Sequence, residues 1–364
     1  MTTISLKSAL EGMGNANNGY TSASFNKFCD LISTYQARVQ AQYANSVYPI
    51  GTTAGSTAIT SVAGLPYNSA YGTVDQYSGD VLIPAFLEAY TSSGGGLELF
   101  PTLRKLLPNW TIRYSGLGKL PWFRDHFKSV NINHAYKSVF AVGSYSTYST
   151  YREYMDGIGF VKNATTGNPT PSSMYNISSV SLNESFSPLL GMDVTLENNL
   201  TLNLKYNITR VVNLSMTSVQ LNESRSNDWV VGAAYKLSNF NLFGGNTSRK
   251  IRNYQGSKNK NNKNQNQATQ TNNGSGVNHD LNLRLDISFR KQAAITRDIA
   301  TRTSAASSGN SAFKMSFMAD YTLSKLLTLS AYYDRQTNTP LLSSSSYPTT
   351  THDFGLSLKF SLTR

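Results

Sequence analysis

Few residues in this chain of 364 could do covalent or metal chemistry. Its four histidines, His126, His134, His279 and His352, are the natural metal ligands and proton carriers. A zinc site, however, needs ligands at spacings such as H-E-x-x-H or in paired cysteines, and these four lie far apart. Cys29 is the single cysteine, so no internal disulfide can form and the redox compartment is not legible from pairing. There is no G-x-S-x-G elbow to expose a nucleophile and no G-x-x-x-x-G-K-[ST] loop to cradle phosphates. Gly94-Gly95-Gly96 lacks the strand, helix and lysine of such a cradle and reads as a flexible turn. Triplets such as Asn207-Ile-Thr209 and Asn213-Leu-Ser215 follow from a composition rich in Asn, Ser and Thr and are not read as glycan sites. The expectation is no enzyme, no cofactor and no metal.

The remaining chemistry is charge. A formal net charge of +12 invites a nucleic-acid reading, and Arg249, Lys250, Arg252, Lys258, Lys260 and Lys263 cluster in an Asn/Gln tract. Only Tyr254 stands near them, whereas single-stranded nucleic acid is held by stacking aromatics between the cations. A disordered, solvated basic loop near 245–278 is expected, and no nucleic-acid partner.

The other charges fall singly, at alternate positions. In Leu281–Arg290 five apolar residues occupy one parity and five polar ones the other, which is the period of a strand with two unlike faces. The pattern returns at 190–197, 200–208, 313–322 and 354–362. About eleven strands are expected, near 109–116, 130–147, 177–187, 189–197, 200–208, 211–220, 228–238, 280–290, 313–322, 326–336 and 352–363. Most approach the roughly 9–11 residues of a tilted membrane-spanning strand, against about 5–6 in soluble proteins. Only 14% of residues are charged, with 22 Tyr and 16 Phe, as suits a wall wet on one side and girdled by aromatics. No run reaches the roughly 18 apolar residues of a spanning helix, so a crossing must use strands.

Hydrocarbon offers no hydrogen-bond partners, so strands cross it only within a closed sheet, one face to lipid and the other to water. Burial from water stabilises the first face by roughly 25 cal/mol per Å², and Arg or Lys near its midplane costs about 2–4 kcal/mol. The lipid-facing candidates are Leu202, Leu204, Leu283, Leu285, Ile287, Phe317, Leu356, Leu358 and Phe360. The lumen-facing candidates are Arg113, Lys137, Asp193, Lys205, Lys236, Arg284, Asp286, Lys314, Asp320 and Lys359. Glu184 and His134 fall on the apolar parity, so each requires a bulge, an interface position or a protein cover.

Two regions follow. Residues 109–364 are expected to be the C-terminal strands of an all-β, antiparallel transmembrane barrel, partial at about 11 strands. Residues 1–108 are expected to form a partly helical cap on the extracellular side. Phe25, Phe28, Leu31, Ile32, Tyr35, Val39 and Tyr43 recur at helical spacing behind the caps Ser22 and Ser24. A second helix is expected after Asp80, with Pro84 in its first turn, and a third between Pro101 and Pro108. If the C-terminus is periplasmic, 148–176, 221–227, 291–312 and 337–351 fall outside as the longer connections, and 188, 209–210 and 323–325 inside as tight ones. The long 239–279 then breaks that rule. Met1–Lys7 has no basic stretch followed by an apolar one, and eleven strands cannot close as the usual even number does; a piece of a longer chain is expected.

Several runs resemble one family in order. Phe100-Pro-Thr-Leu-Arg-Lys-Leu-Leu-Pro-Asn-Trp-Thr-Ile-Arg-Tyr-Ser-Gly-Leu-Gly-Lys-Leu-Pro-Trp122 is similar to the start of the C-terminal region of the SprA/Sov family, the outer-membrane translocon of type IX secretion. So are Val130–Phe140, Glu184–Asp193, Arg225–Gly232, Asp280–Asp286 and Tyr333–Arg335. The resemblance implies part of the wall of a very large bacterial outer-membrane pore that exports folded cargo. It also implies as partners the upstream strands of the same translocon, a PorV-like shuttle barrel, a periplasmic plug, the secreted cargo, and lipid and lipopolysaccharide. Two other readings use the same alternation: a stand-alone porin or transporter, and a soluble surface-attached binding module.

Overall fold

The computed structural model describes residues 6–50, 62–91, 96–97, 109–155, 158–163, 167–238, 240, 279–324, 326–342 and 347–361. The expected helix at 101–108, the basic tract at 249–263 and Leu362 lie outside these.

Helices come first. After a short turn, α1 (Leu6–Ala9), the long α2 runs Ala23–Gln42, capped by the Ser22 hydroxyl accepting from the Phe25 N–H at 3.2 Å. The Glu11 carboxylate adds to this cap by accepting from the Ser24 N–H at 3.1 Å. Helix α3 (Gly79–Tyr90) begins behind Ser78, carries Asp80 in its first turn and contains Pro84. Phe25, Phe28, Ile32, Tyr35 and Val39 line one side of α2 and are buried, as the 3.6-residue spacing requires. They meet Val81, Leu82, Ile83, Phe86 and Tyr90 of α3 in one apolar core. Aromatic edges set that contact, with Phe28 at 6.2 Å from Phe86 and 87° to it.

The helix pair rests on a nine-stranded antiparallel sheet. Its strands are β1 (Trp110–Tyr114), β2 (Phe127–Thr147), β6 (Tyr175–Leu196), β7 (Leu200–Ser215), β8 (Gln220–Leu237), β9 (Leu281–Asp298), β10 (Thr303–Ser324), β11 (Leu327–Pro340) and β12 (Thr349–Phe360). Each pairs with the next in sequence, except that β2 reaches β6 past a small sheet of β3 (Arg152–Met155), β4 (Ile158–Lys162) and β5 (Pro169–Ser172). The short α4 (Pro121–Arg124) sits between β1 and β2. Among the described residues β1 and β12 are edges and the sheet does not close.

Nine strands, all but the five-residue β1 at least 12 residues long, replace the eleven expected. The segments 177–187 and 189–197 are one 22-residue strand, β6. Pro188 lacks an N–H and breaks the ladder, but only as a bulge, because pairing with β7 lapses after Phe186 and resumes at Leu190. Thr209-Arg210 is not a turn either: Arg210 pairs with Glu184 on one side and Arg225 on the other, so β7 runs straight through. The connections at 221–227 and 291–312 shrink to the tight turns 216–219 and 299–302. The length difference between the two ends of the sheet is thereby lost. Tight and long connections occur at both, with 115–126 and 238–280 long at the end that holds the tight 197–199.

Cys29 lies in the α2–α3 core, and burial pushes its thiol up to about 11. Alkylation should therefore wait for the helices to separate. Leu82→Ala, at a fully buried position, should cost about 2–5 kcal/mol and speed maleimide labelling of Cys29 by at least about 30-fold. An unchanged rate would mean that this core does not hold the helix pair shut.

Candidate functional site

Residues paired across strands point to the same side of a sheet, so the register assigns every strand residue to a face. On the first face one row reads Leu190, Tyr206, Trp229, Phe289 and Phe313, and the next Met192, Leu204, Val231, Ile287 and Met315. Further rows add Leu202, Ala233, Leu285, Phe317, Tyr333 and Phe354, then Leu200, Tyr235, Leu283, Ala331 and Leu356, then Leu329 with Leu358. Phe360 ends the series opposite Leu327. All nine lipid-facing candidates lie in this belt.

The belt is open. At the β12 edge Phe354, Leu356, Leu358 and Phe360 are 79%, 77%, 63% and 61% exposed, and Leu202, Trp229, Val231, Phe289 and Phe317 are exposed too. From Phe289 to Leu281 it spans about 26 Å at roughly 3.3 Å per residue. Its upper border carries an aromatic row in which Tyr206 stacks on Trp229 at 4.1 Å and 13°.

That border is oblique. The hydrogen-bonded row that starts at Tyr136 passes through Phe186, Ile208, Asn227, Lys291 and Ser311 to Thr339. On β11 the last apolar residue of this face is Tyr333, six residues below Thr339. Six residues are about 20 Å, gained across six strand spacings of roughly 29 Å in all, a slope of about 35°. Tilted barrel strands, at about 35–45°, would give an apolar band that cuts the ladder at a similar angle.

The opposite face is polar. It holds all ten lumen-facing candidates: Arg113 and Lys137, Asp193 and Lys205, Lys236, Arg284 and Asp286, Lys314 and Asp320, and Lys359. Several are paired there. Lys236 Nζ lies 2.7 Å from Asp280, Arg284 Nε 2.6 Å from Asp286 and Arg290 Nε 2.8 Å from Asp228, while Asn203 donates to Asp193.

Above the aromatic row the first face changes character, because α2 and α3 cover it. Between helices and sheet lies a buried ion ladder. Arg210 Nε donates to Glu223 Oε1 at 2.8 Å and its Nη1 to Glu184 Oε2 at 3.3 Å; Arg297 donates to Glu223 Oε2 at 3.0 and 3.1 Å. The Arg210 guanidinium also lies 5.2 Å over the Tyr90 ring, and that of Arg297 5.5 Å over Phe25. The ladder thus ties four strands, β6 to β9, to both helices. Glu184, flagged by its parity, is covered by protein, and His134 sits at a bulge between Asn133 and Tyr136.

Arg210, Glu223, Arg225 and Arg297 were missed by sequence reasoning, which kept Glu184 within a strand but placed breaks at 209–210, 221–227 and 291–312, where these four lie. Extending the even parity of β7 past Ile208 would have carried Arg210 onto the face of Glu184. The histidines stay apart, each with its own partner: His126 with the Trp122 carbonyl, His134 with that of Leu189, His279 with that of Thr322, and His352 with the Tyr333 hydroxyl. Among the described residues no group of three or more His, Cys, Asp or Glu is placed to hold a metal ion.

No family model matches the chain, and no curated protein matches it either.

Removing one member of a buried ion network strands the others at a cost of about 3–5 kcal/mol, whereas apolar or neutral replacement of the set is far cheaper. Arg210→Met should lower the denaturation midpoint strongly, and adding Glu184→Gln, Glu223→Gln and Arg297→Met, which replaces the whole set, should restore most of it. A quadruple variant no more stable than Arg210→Met would show that the ladder is not a coupled unit.

Proposed function

We propose that residues 109–364 form part of the wall of a bacterial outer-membrane β-barrel. The belt would face lipid and the polar face a water-filled lumen. The observation that carries this reading is the belt itself, an apolar stripe crossing seven antiparallel strands, β6 to β12, open to the surroundings, oblique to the ladder and opposed by a polar face. In water alone such a stripe would be a liability, since monomeric soluble proteins rarely expose apolar patches beyond a few hundred Å². The open edges β1 and β12 would pair with further strands, as backbone groups in hydrocarbon must.

Within that class, the ordered resemblance to the SprA/Sov family supports a contribution to the translocon of type IX secretion, a pore wall with no catalytic role. The proposed partners are the upstream strands of the translocon, a PorV-like shuttle barrel, a periplasmic plug, folded cargo, and lipid and lipopolysaccharide. Residues 1–108 would cap the wall on the extracellular side.

Nitroxide scanning tests the wall. In a Cys29→Ala background reconstituted into vesicles, probes at Leu285 and Ile287 should be reached by oxygen and shielded from a water-soluble nickel chelate. Probes at Arg284 and Asp286 should show the opposite. Both sets open to the chelate, together with release of the chain by carbonate without detergent, would replace this reading with a soluble binding module.

A further inference from the structure

A groove of about 450 Å³ opens on the first face where the loop ahead of α2 meets β8 and β9, lined by Asn15, Tyr20, Arg225, Asn227, Lys291 and Leu341 among others. Its charge is not balanced. The covered end of this face holds the guanidiniums of Arg210, Arg225 and Arg297 against the carboxylates of Glu184 and Glu223, three positive charges to two negative. Both carboxylates are taken by Arg210 and Arg297. Arg225 forms no ion pair among the described residues; its Nε donates to Asn227 Oδ1 at 3.2 Å and its Nη1 to the Glu11 carbonyl. The Glu11 carboxylate is turned to the start of α2, where Ser24 donates to it. Lys291, paired in register with Asn227, is exposed and likewise has no ion pair among the described residues.

Two residues further along the same strands stand Trp229 and Phe289, the upper border of the belt. Cationic groove and apolar surface are thus about 7 Å apart. A free anion would use only the first, and a hydrocarbon chain only the second. We infer that the groove binds the phosphate of a membrane lipid through Lys291 and Arg225, with the acyl chains laid over Trp229 and Phe289. This rests on the reading of the belt as lipid-facing.

The test uses the full chain with Trp110→Phe and Trp122→Phe, leaving Trp229 as the single tryptophan beside the groove. In phosphatidylcholine vesicles, brominated phosphatidylglycerol should quench Trp229 with about fivefold preference over brominated phosphatidylcholine at equal mole fraction. Lys291→Glu should abolish the preference, Lys291→Arg should retain it, and protection of Cys29 from alkylation should be unchanged in both. Excess inorganic phosphate should not displace the lipid. Equal quenching by the two lipids, or a preference that survives Lys291→Glu, would overturn the site. Displacement by inorganic phosphate would overturn the lipid as its occupant. Failure of every brominated lipid to quench would sink the lipid-facing belt itself, a separate result.

Discussion

Register is the constraint on which this structure depends. A strand presents alternate residues to opposite sides, so a slip of one position between neighbours would exchange its entire apolar set for its polar one. Eight strand pairings hold nine strands in step, and bulges absorb the irregularities: at Pro188, near His134 and between Ala306 and Ser308. Because the register is kept through these interruptions, Leu202 on β7 and Leu285 on β9 share a face although a long connection separates them in sequence.

One face meets two different requirements along its length. At one end its apolar rows are open, and at the other they are sealed by helices. The change occurs within a few residues, at Ile208 and Arg210 on β7 and at Trp229 and Arg225 on β8. Charge is tolerable in the sealed part because each guanidinium there has acceptors, and ring faces complete the enclosure. It would be costly in the open part, and the open part holds almost none. The cover is therefore coupled to the charges: without Phe25 and Tyr90 above them, Arg210 and Arg297 would lose their enclosure.

Two-sided strands were legible in the sequence because period two leaves a mark that survives without tertiary context, as at Leu281–Arg290. The α2 cap and apolar side were legible for the same reason, at period 3.6. Strand length was not. Where Arg210, Glu223 and Arg225 enter the apolar parity, local pattern indicates an end, and only partners distant in sequence, Glu184 and Arg297, make the continuation stable. Thr209-Arg210 and Pro188 were read as turns on the same local grounds. The ladder escaped because it arises from four strands and two helices together, with no spacing in the chain to announce it.

Nearly every pairing in the large sheet joins neighbours along the chain. Such a sheet can grow by adding one hairpin at a time to an existing edge, each increment closing only a short loop and so losing little entropy. The costly closures are the return from β2 to β6, which spans the small sheet, and that from β8 to β9. Growth order is therefore written into the topology: β6 through β8 can assemble as a meander, as can β9 through β12, and the seam between β8 and β9 is where the two halves must find each other.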